Sequence, residues 1–193
     1  AYVRSPGREL LDIVALEATR AGAIVIGEDL GTVGHGVREL LAEARVLSTR
    51  LLWFEDRPPA QWPELAMAAV TTHDLPTIAG VWTGTDLADQ EAAGVTVAYE
   101  GDAEFRHRLR VAASVDDAAD VDTVIVAAHR HLATAPSAIV TASLDDLVGA
   151  DHRPNVPGTI DEHPNWRIPL PVLVDDLHGH PVAEAVAAAL ADR

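Results

Sequence analysis

A chain of 193 residues with 48% hydrophobic content has enough apolar surface for a folded core, and its 14 basic against 30 acidic residues leave a net charge of -16. That charge repels phosphate backbones and anionic headgroups, which excludes nucleic acid and membrane as expected partners and leaves a neutral ligand such as a sugar compatible. With no cysteine, disulfides and thiolate metal sites are excluded, the cytoplasm is the default location, and no apolar run approaches the roughly 20 residues of a bilayer span.

In chain order, Ser5-Pro6 suits a helix start, and Leu10, Ile13, Val14 and Leu16 recur with helical spacing until Gly22. The apolar run 23–26 reads as a buried parallel strand and ends in Gly27, Glu28 and Asp29. Val37, Leu40 and Leu41 mark a second helix, ending at Arg45 where a glycine is usual, and 51–54 a second strand that ends in Glu55 and Asp56. Past a loop with Pro58, Pro59 and Pro63, the run 66–70 leads through Thr71 and Thr72 into His73 and Asp74. Two more helices are expected around 103–113 and 121–132, a fourth strand at 138–141, an aperiodic Pro- and Gly-rich tail over 151–171, and a closing alanine-rich helix over 182–191.

Strands alternating with helices imply an α/β fold with right-handed crossovers and a parallel sheet, either a barrel or a doubly wound sheet. Four strands suffice for half of an eight-stranded barrel, and the edges they leave call for pairing with another segment. The chain begins at Ala1 and its one methionine is Met67, so a part upstream is expected to be missing.

Barrel enzymes carry their reactive groups at the C-terminal ends of the strands. Glu28 and Asp74 each follow an apolar run. Carboxylates converging in one cleft suit glycosidic cleavage, in which one protonates the leaving oxygen while another attacks or stabilises the cationic sugar. Plainer readings stand beside this one. Glu28 and Asp29 suit a helix N-terminus, Asp74 suits the turn before Leu75-Pro76, and a single histidine such as His73 is usually structural. Trp53, Phe54 and Trp82 serve equally as sugar-stacking surfaces or as core. Arg153, Asn155, Asn165 and Arg167 favour fixing the tail over touching substrate, because buried guanidinium and amide groups need partners. No ligand spacing around His35, His73 and Asp74 supports a metal, and Gly31, Gly34 and Gly36 lack the order of a dinucleotide loop, so neither metal nor cofactor is expected.

The motifs are more specific than the pattern. Ile26-Gly27-Glu28-Asp29-Leu30-Gly31-Thr32-Val33 resembles the segment of 4-α-glucanotransferases (amylomaltases, glycoside hydrolase family 77) that carries the acid/base glutamate, and Glu28 is the matching residue. Val70-Thr71-Thr72-His73-Asp74-Leu75-Pro76-Thr77 resembles the family segment whose His-Asp pair lies beside the bond being broken. Asn155-Val156-Pro157-Gly158-Thr159 and Asn165-Trp166-Arg167 match its C-terminal signature in order and spacing, and the resemblance runs from about Tyr2 to about Pro171.

This resemblance implies the second half of a catalytic (β/α)8 TIM barrel over residues 1–150, with a signature loop and closing helix of the same domain over 151–193. It implies Glu28 as acid/base and Asp74 as transition-state stabiliser, with His73, Asp29, Trp53, Trp82 and Asn155 expected on the substrate. The family's nucleophile, an aspartate in an Arg-Ile-Asp-His type segment, has no counterpart in this chain. The implied reaction is retaining transfer between α-1,4-glucans or maltooligosaccharides, for which Glu28 must be protonated in the first step and ionised in the second. The chain alone is expected to be inactive and to need an N-terminal part of the same enzyme as partner. Two alternatives stay open: an inactive glucan-binding remnant or subunit, and a related α-glucan hydrolase, which maltotriose products would distinguish from a transferase.

Overall fold

The computed structural model describes residues 5–97 and 99–193; the start of the resemblance at Tyr2 lies outside them. Helix α1 (Gly7–Ala21) ends at Gly22, whose left-handed φ of 63° turns the chain back toward the sheet. The run 23–26, expected as a full strand, makes one parallel bridge, Ile26 with Leu47. Two hydrogen bonds hold it: Leu47 N–H donates to the Val25 carbonyl at 3.0 Å and Gly27 N–H to the Leu47 carbonyl at 2.7 Å. Among the described residues the run has a neighbour on one side alone, and Ile24 is left 69% exposed.

Helix α2 (Val37–Glu43) is followed by Arg45 at φ 56°, the left-handed position that the sequence marks as a glycine site. Strand β1 (Ser48–Leu51) begins three residues earlier than expected; Leu52 N–H still donates to the Ala69 carbonyl at 3.0 Å, and the chain then turns away from the sheet, with Phe54 and Glu55 N–H both donating to the Leu51 carbonyl at 3.0 Å. Strands β2 (Ala66–Ala69) and β3 (Ile139–Val140) complete a parallel three-stranded sheet in the order β1-β2-β3, with Leu51 opposite Ala69 and Ala68 opposite Val140. The chain is thus α/β with parallel strands; the fourth expected strand, 138–141, forms as β3, and the first, 23–26, is reduced to the Ile26–Leu47 bridge.

Three helices escape the hydrophobic pattern: α3 (Ile78–Thr83), α4 (Thr85–Ala92) and, after the long helices α5 (Tyr99–Ala113) and α6 (Val121–Leu132), the single turn α7 (Leu144–Leu147). Helix α8 (Pro181–Ala191) closes the chain. Asp120 caps α6 by accepting the Thr123 N–H at 2.9 Å, and the helix buries Val124, Ile125, Ala128, His129 and Leu132 along one face. That face meets α3, α5 and α8 in one apolar core with Trp53, Val70, Ile78, Leu109 and Val186. By contrast α1 buries no residue, and Leu10, Ile13 and Leu16 lie exposed, as does Ile24. Among the described residues no helix is long and apolar enough to cross a membrane.

Candidate functional site

Strand β2 runs into a loop, residues 70–77, that the fold holds from three sides. From below, the Trp53 indole N–H donates to the Pro76 carbonyl at 3.2 Å, and Thr71 Oγ1 donates to the same oxygen at 2.9 Å. At the exit, Thr77 caps α3 by accepting the Gly80 N–H at 2.9 Å, and Asp146 Oδ1 accepts the Ile78 N–H at 2.8 Å. From the C-terminal tail, Arg153 Nη1 donates to the Asp74 carbonyl at 3.3 Å, and Asn155 Nδ2 donates to Asp74 Oδ1 at 2.7 Å. The free carboxylate oxygen of Asp74 faces His73 Nε2 at 3.5 Å. Both side chains remain about half exposed, at 54% for His73 and 48% for Asp74.

The tail is itself anchored by a buried ion pair. Arg153 grips Asp86 of α4 with two hydrogen bonds of 2.5 Å each, and Gln90 one turn on donates to Asp86 at 2.7 Å. Such a fork-to-carboxylate pairing has the fixed geometry that only arginine provides. Close approach is required here too: a Cβ on Gly80 would lie 2.6 Å from the Asp151 carbonyl, so α3 admits the tail only because that position is glycine. Next to this pair, burial and the Asp86 charge raise the Asp102 carboxyl above its ordinary range.

Glu28 stands exposed after the Ile26 bridge, on the opposite flank of β1 from Asp74, and its neighbour Asp29 is buried. Asp29 Oδ1 accepts the Thr49 N–H at 2.9 Å, and Oδ2 faces Arg38 at 3.1 Å and Arg50 at 3.4 Å. Thr49 Oγ1 in turn donates to the Gly27 carbonyl at 3.0 Å, so the segment bearing Glu28 is tied to β1 at two points. The Asp29 carboxylate is therefore occupied by the protein.

The structure brings His73, Asp74 and Asn155 together and places the expected stacking residues elsewhere. Trp53 is 1% exposed and stacked on Phe105 at 4.8 Å; Trp82 is 6% exposed, donates to the Ala119 carbonyl at 2.8 Å and carries the Arg106 guanidinium over its ring. Both indoles are core, and neither presents a face to a ligand. The aromatic beside His73 is instead Trp166, at 5.5 Å between ring centroids, from the Asn165-Trp166-Arg167 motif. With Thr72, His73, Ser143, Asp145 and Pro154 it lines a cavity of about 240 Å³. A larger cavity of about 360 Å³, lined by Leu52, Asp56, Pro58, Arg108 and Val111 among others, lies apart from Glu28 and Asp74.

Behind the loop, Asp146 and His129 form a buried polar pair that sequence reading did not anticipate. His129 Nδ1 lies 2.8 Å from the Ile125 carbonyl, to which it donates, and both His129 Nε2 and Asp146 Oδ2 lack a partner among the described residues. Burial raises the Asp146 carboxyl above its ordinary value of 3.8, with His129 opposing the shift. A raised folded-state value means that the native chain keeps this proton where the unfolded chain has lost it. The stability it contributes is whole below pH of about 4 and falls as pH rises through the folded-state value. Asp146→Asn keeps the acceptor for Ile78 N–H and should flatten that decline, measured as urea midpoints from pH 4 to 8.

A family profile described as 4-alpha-glucanotransferase matches residues 1–174. A curated 4-alpha-glucanotransferase of Mycobacterium tuberculosis is 39% identical over 97% of the chain, and one of Haemophilus influenzae 28% identical over 86%. The chain spans 30% of the first relative's length and 27% of the second's. The crystal structure of an amylomaltase from Corynebacterium glutamicum superposes with a TM-score of 0.85 at 34% identity, covering 98% of this chain and 32% of that one.

Proposed function

Because the chain belongs to the 4-alpha-glucanotransferase family, glycoside hydrolase family 77, we propose that it forms the acid/base-bearing part of an enzyme that transfers α-1,4-glucan segments by a retaining mechanism. The observation that carries this reading is the set of ties on the two segments that bear the motif carboxylates: Asp29 to Thr49 beside Glu28, and, at Asp74, Asn155 on the carboxylate and Arg153 on the backbone carbonyl. Catalytic groups need that kind of fixed first contact. Glu28 protonates the departing glucan oxygen and then deprotonates the incoming hydroxyl. Asp74 stabilises positive charge on the sugar, with His73 contacting that sugar from the same loop. Asn155 and Asp29 act through their neighbours as positioning residues. The nucleophile comes from outside this chain, on a strand that pairs with the open edge at Ile26 under α1, where the exposed Leu10, Ile13 and Ile24 mark an unfilled interface. In this reading the three strands and the bridge are half of a (β/α)8 barrel.

The test is maltotriose disproportionation with the chain alone, and with the upstream portion of the Mycobacterium tuberculosis relative supplied in trans. The chain alone should give no products. The mixture should give a ladder of longer maltooligosaccharides that Glu28→Gln abolishes. Glucose without longer oligomers from the mixture would establish hydrolysis in place of transfer, and products from the chain alone would refute the external nucleophile.

A further inference from the structure

The chain has four tryptophans, and three of them are buried: Trp53 at 1%, Trp62 at 4% and Trp82 at 6% exposure. Trp166 is 63% exposed. It also sits at φ 61°, in the left-handed region that strains a bulky residue. Such strain persists only where the surroundings over-determine it, and here they do. Asn165 Oδ1 accepts the Val156 N–H at 2.9 Å, and Asn165 Nδ2 donates to Thr159 Oγ1 at 2.7 Å. Trp166 N–H donates to the Pro154 carbonyl at 2.8 Å, and buried His163 donates from Nε2 to the Arg153 carbonyl at 3.1 Å. The tail thus spends a clamp of side-chain hydrogen bonds on holding an apolar ring out into solvent, beside the histidine that adjoins Asp74.

Ser143 and the half-buried Asp145 line the same cavity as that ring. The Asp145 carboxylate accepts no hydrogen bond among the described residues. A flat aromatic face sharing a cavity with a carboxylate and a hydroxyl is the chemistry that binds a pyranose, whose C–H face is apolar and whose edges are hydroxyls. The cavity's volume of about 240 Å³ lies below the roughly 300–1,000 Å³ of sites that enclose drug-sized ligands, which suits one or two sugar units.

We propose that Trp166 is the stacking platform of a glucosyl subsite next to Asp74, with Asp145 and Ser143 taking the sugar hydroxyls. The choice of α-1,4-glucan as ligand rests on the function proposed above. The other three tryptophans being buried, red-edge emission quenched by acrylamide comes from Trp166, which makes binding observable on the 193-residue chain without catalysis. Maltoheptaose should shift this emission to the blue and protect it saturably, and cellohexaose should do neither. Trp166→Ala should weaken maltoheptaose binding about tenfold or more by calorimetry, the loss expected of a buried aromatic contact, with Trp166→Phe recovering most of it and Asp145→Asn giving an intermediate loss.

Equal affinity in wild type and Trp166→Ala, unprotected Trp166 in the bound chain, or no binding at all would each overturn the subsite. Protection by the upstream portion of the relative, with none by maltoheptaose, would also overturn it and make this face a protein contact. None of these results touches the complementation assay, in which loss of the Glu28 dependence is what would sink the broader function.

Discussion

Arg153→Met should lower the unfolding free energy by about 3–5 kcal/mol, because it strands the Asp86 carboxylate, 2% exposed, without its only cationic partner in the described structure. For a chain of this length that corresponds to a fall in melting temperature of roughly 6–20 °C by calorimetry. The double variant Asp86→Leu/Arg153→Met removes both charges and should recover much of the loss, since the damage lies in the unpaired charge and not in the missing attraction. Equal destabilisation in the single and double variants would show that Arg153 acts through the Asp74 carbonyl and the tail, and not through Asp86. Arg153→Lys should fall between, as an ammonium cannot reproduce the two-point grip on Asp86.

Asp74→Asn in the complemented enzyme should reduce kcat by about 10²–10³-fold, the size of effect found when one electrostatic contact to transition-state charge is removed. The carboxylate is half exposed, so the melting temperature should hardly move. Asn155→Ala should cost about tenfold, and Asp74→Asn/Asn155→Ala should be no slower than Asp74→Asn alone, because Asn155 reaches the reaction only through the 2.7 Å hydrogen bond to Asp74 Oδ1. Independent, multiplying losses would place Asn155 on the sugar itself.

Much of this was legible because it was local. The 23–26 and 66–70 runs pointed to Glu28 and Asp74 through short apolar stretches that stop at charged residues, and α6 takes the bounds 121–132 expected for it. Helix α4 was not legible because its buried face is polar: Asp86 and Gln90, four apart, occupy positions where the pattern requires hydrophobes. Arg153, the partner of Asp86, is 67 residues away, and no window reveals that pairing. The tryptophans misled for a related reason. Trp53 and Trp82 lie near the motif carboxylates in sequence and are core, whereas Trp166 lies far away in sequence and beside His73 in space. The 51–54 run read as a strand on hydrophobicity, but the pairing ends with the Leu52 N–H on the Ala69 carbonyl at 3.0 Å, and Trp53 is buried in the turn that follows rather than in the sheet.

The locks on Asp74 come from residues 79 and 81 positions later in the chain. A ribosome adding about 5–20 residues per second needs about 4–16 s to travel from Asp74 to Asn155. During synthesis, therefore, β1 and β2 are free to pair well before the loop that crowns β2 takes its working shape, and the nascent chain passes through an interval in which a parallel sheet exists without a formed site. Selection on translation speed or on chaperone capture has that interval to act on, between synthesis of the loop that bears Asp74 and synthesis of the tail that locks it.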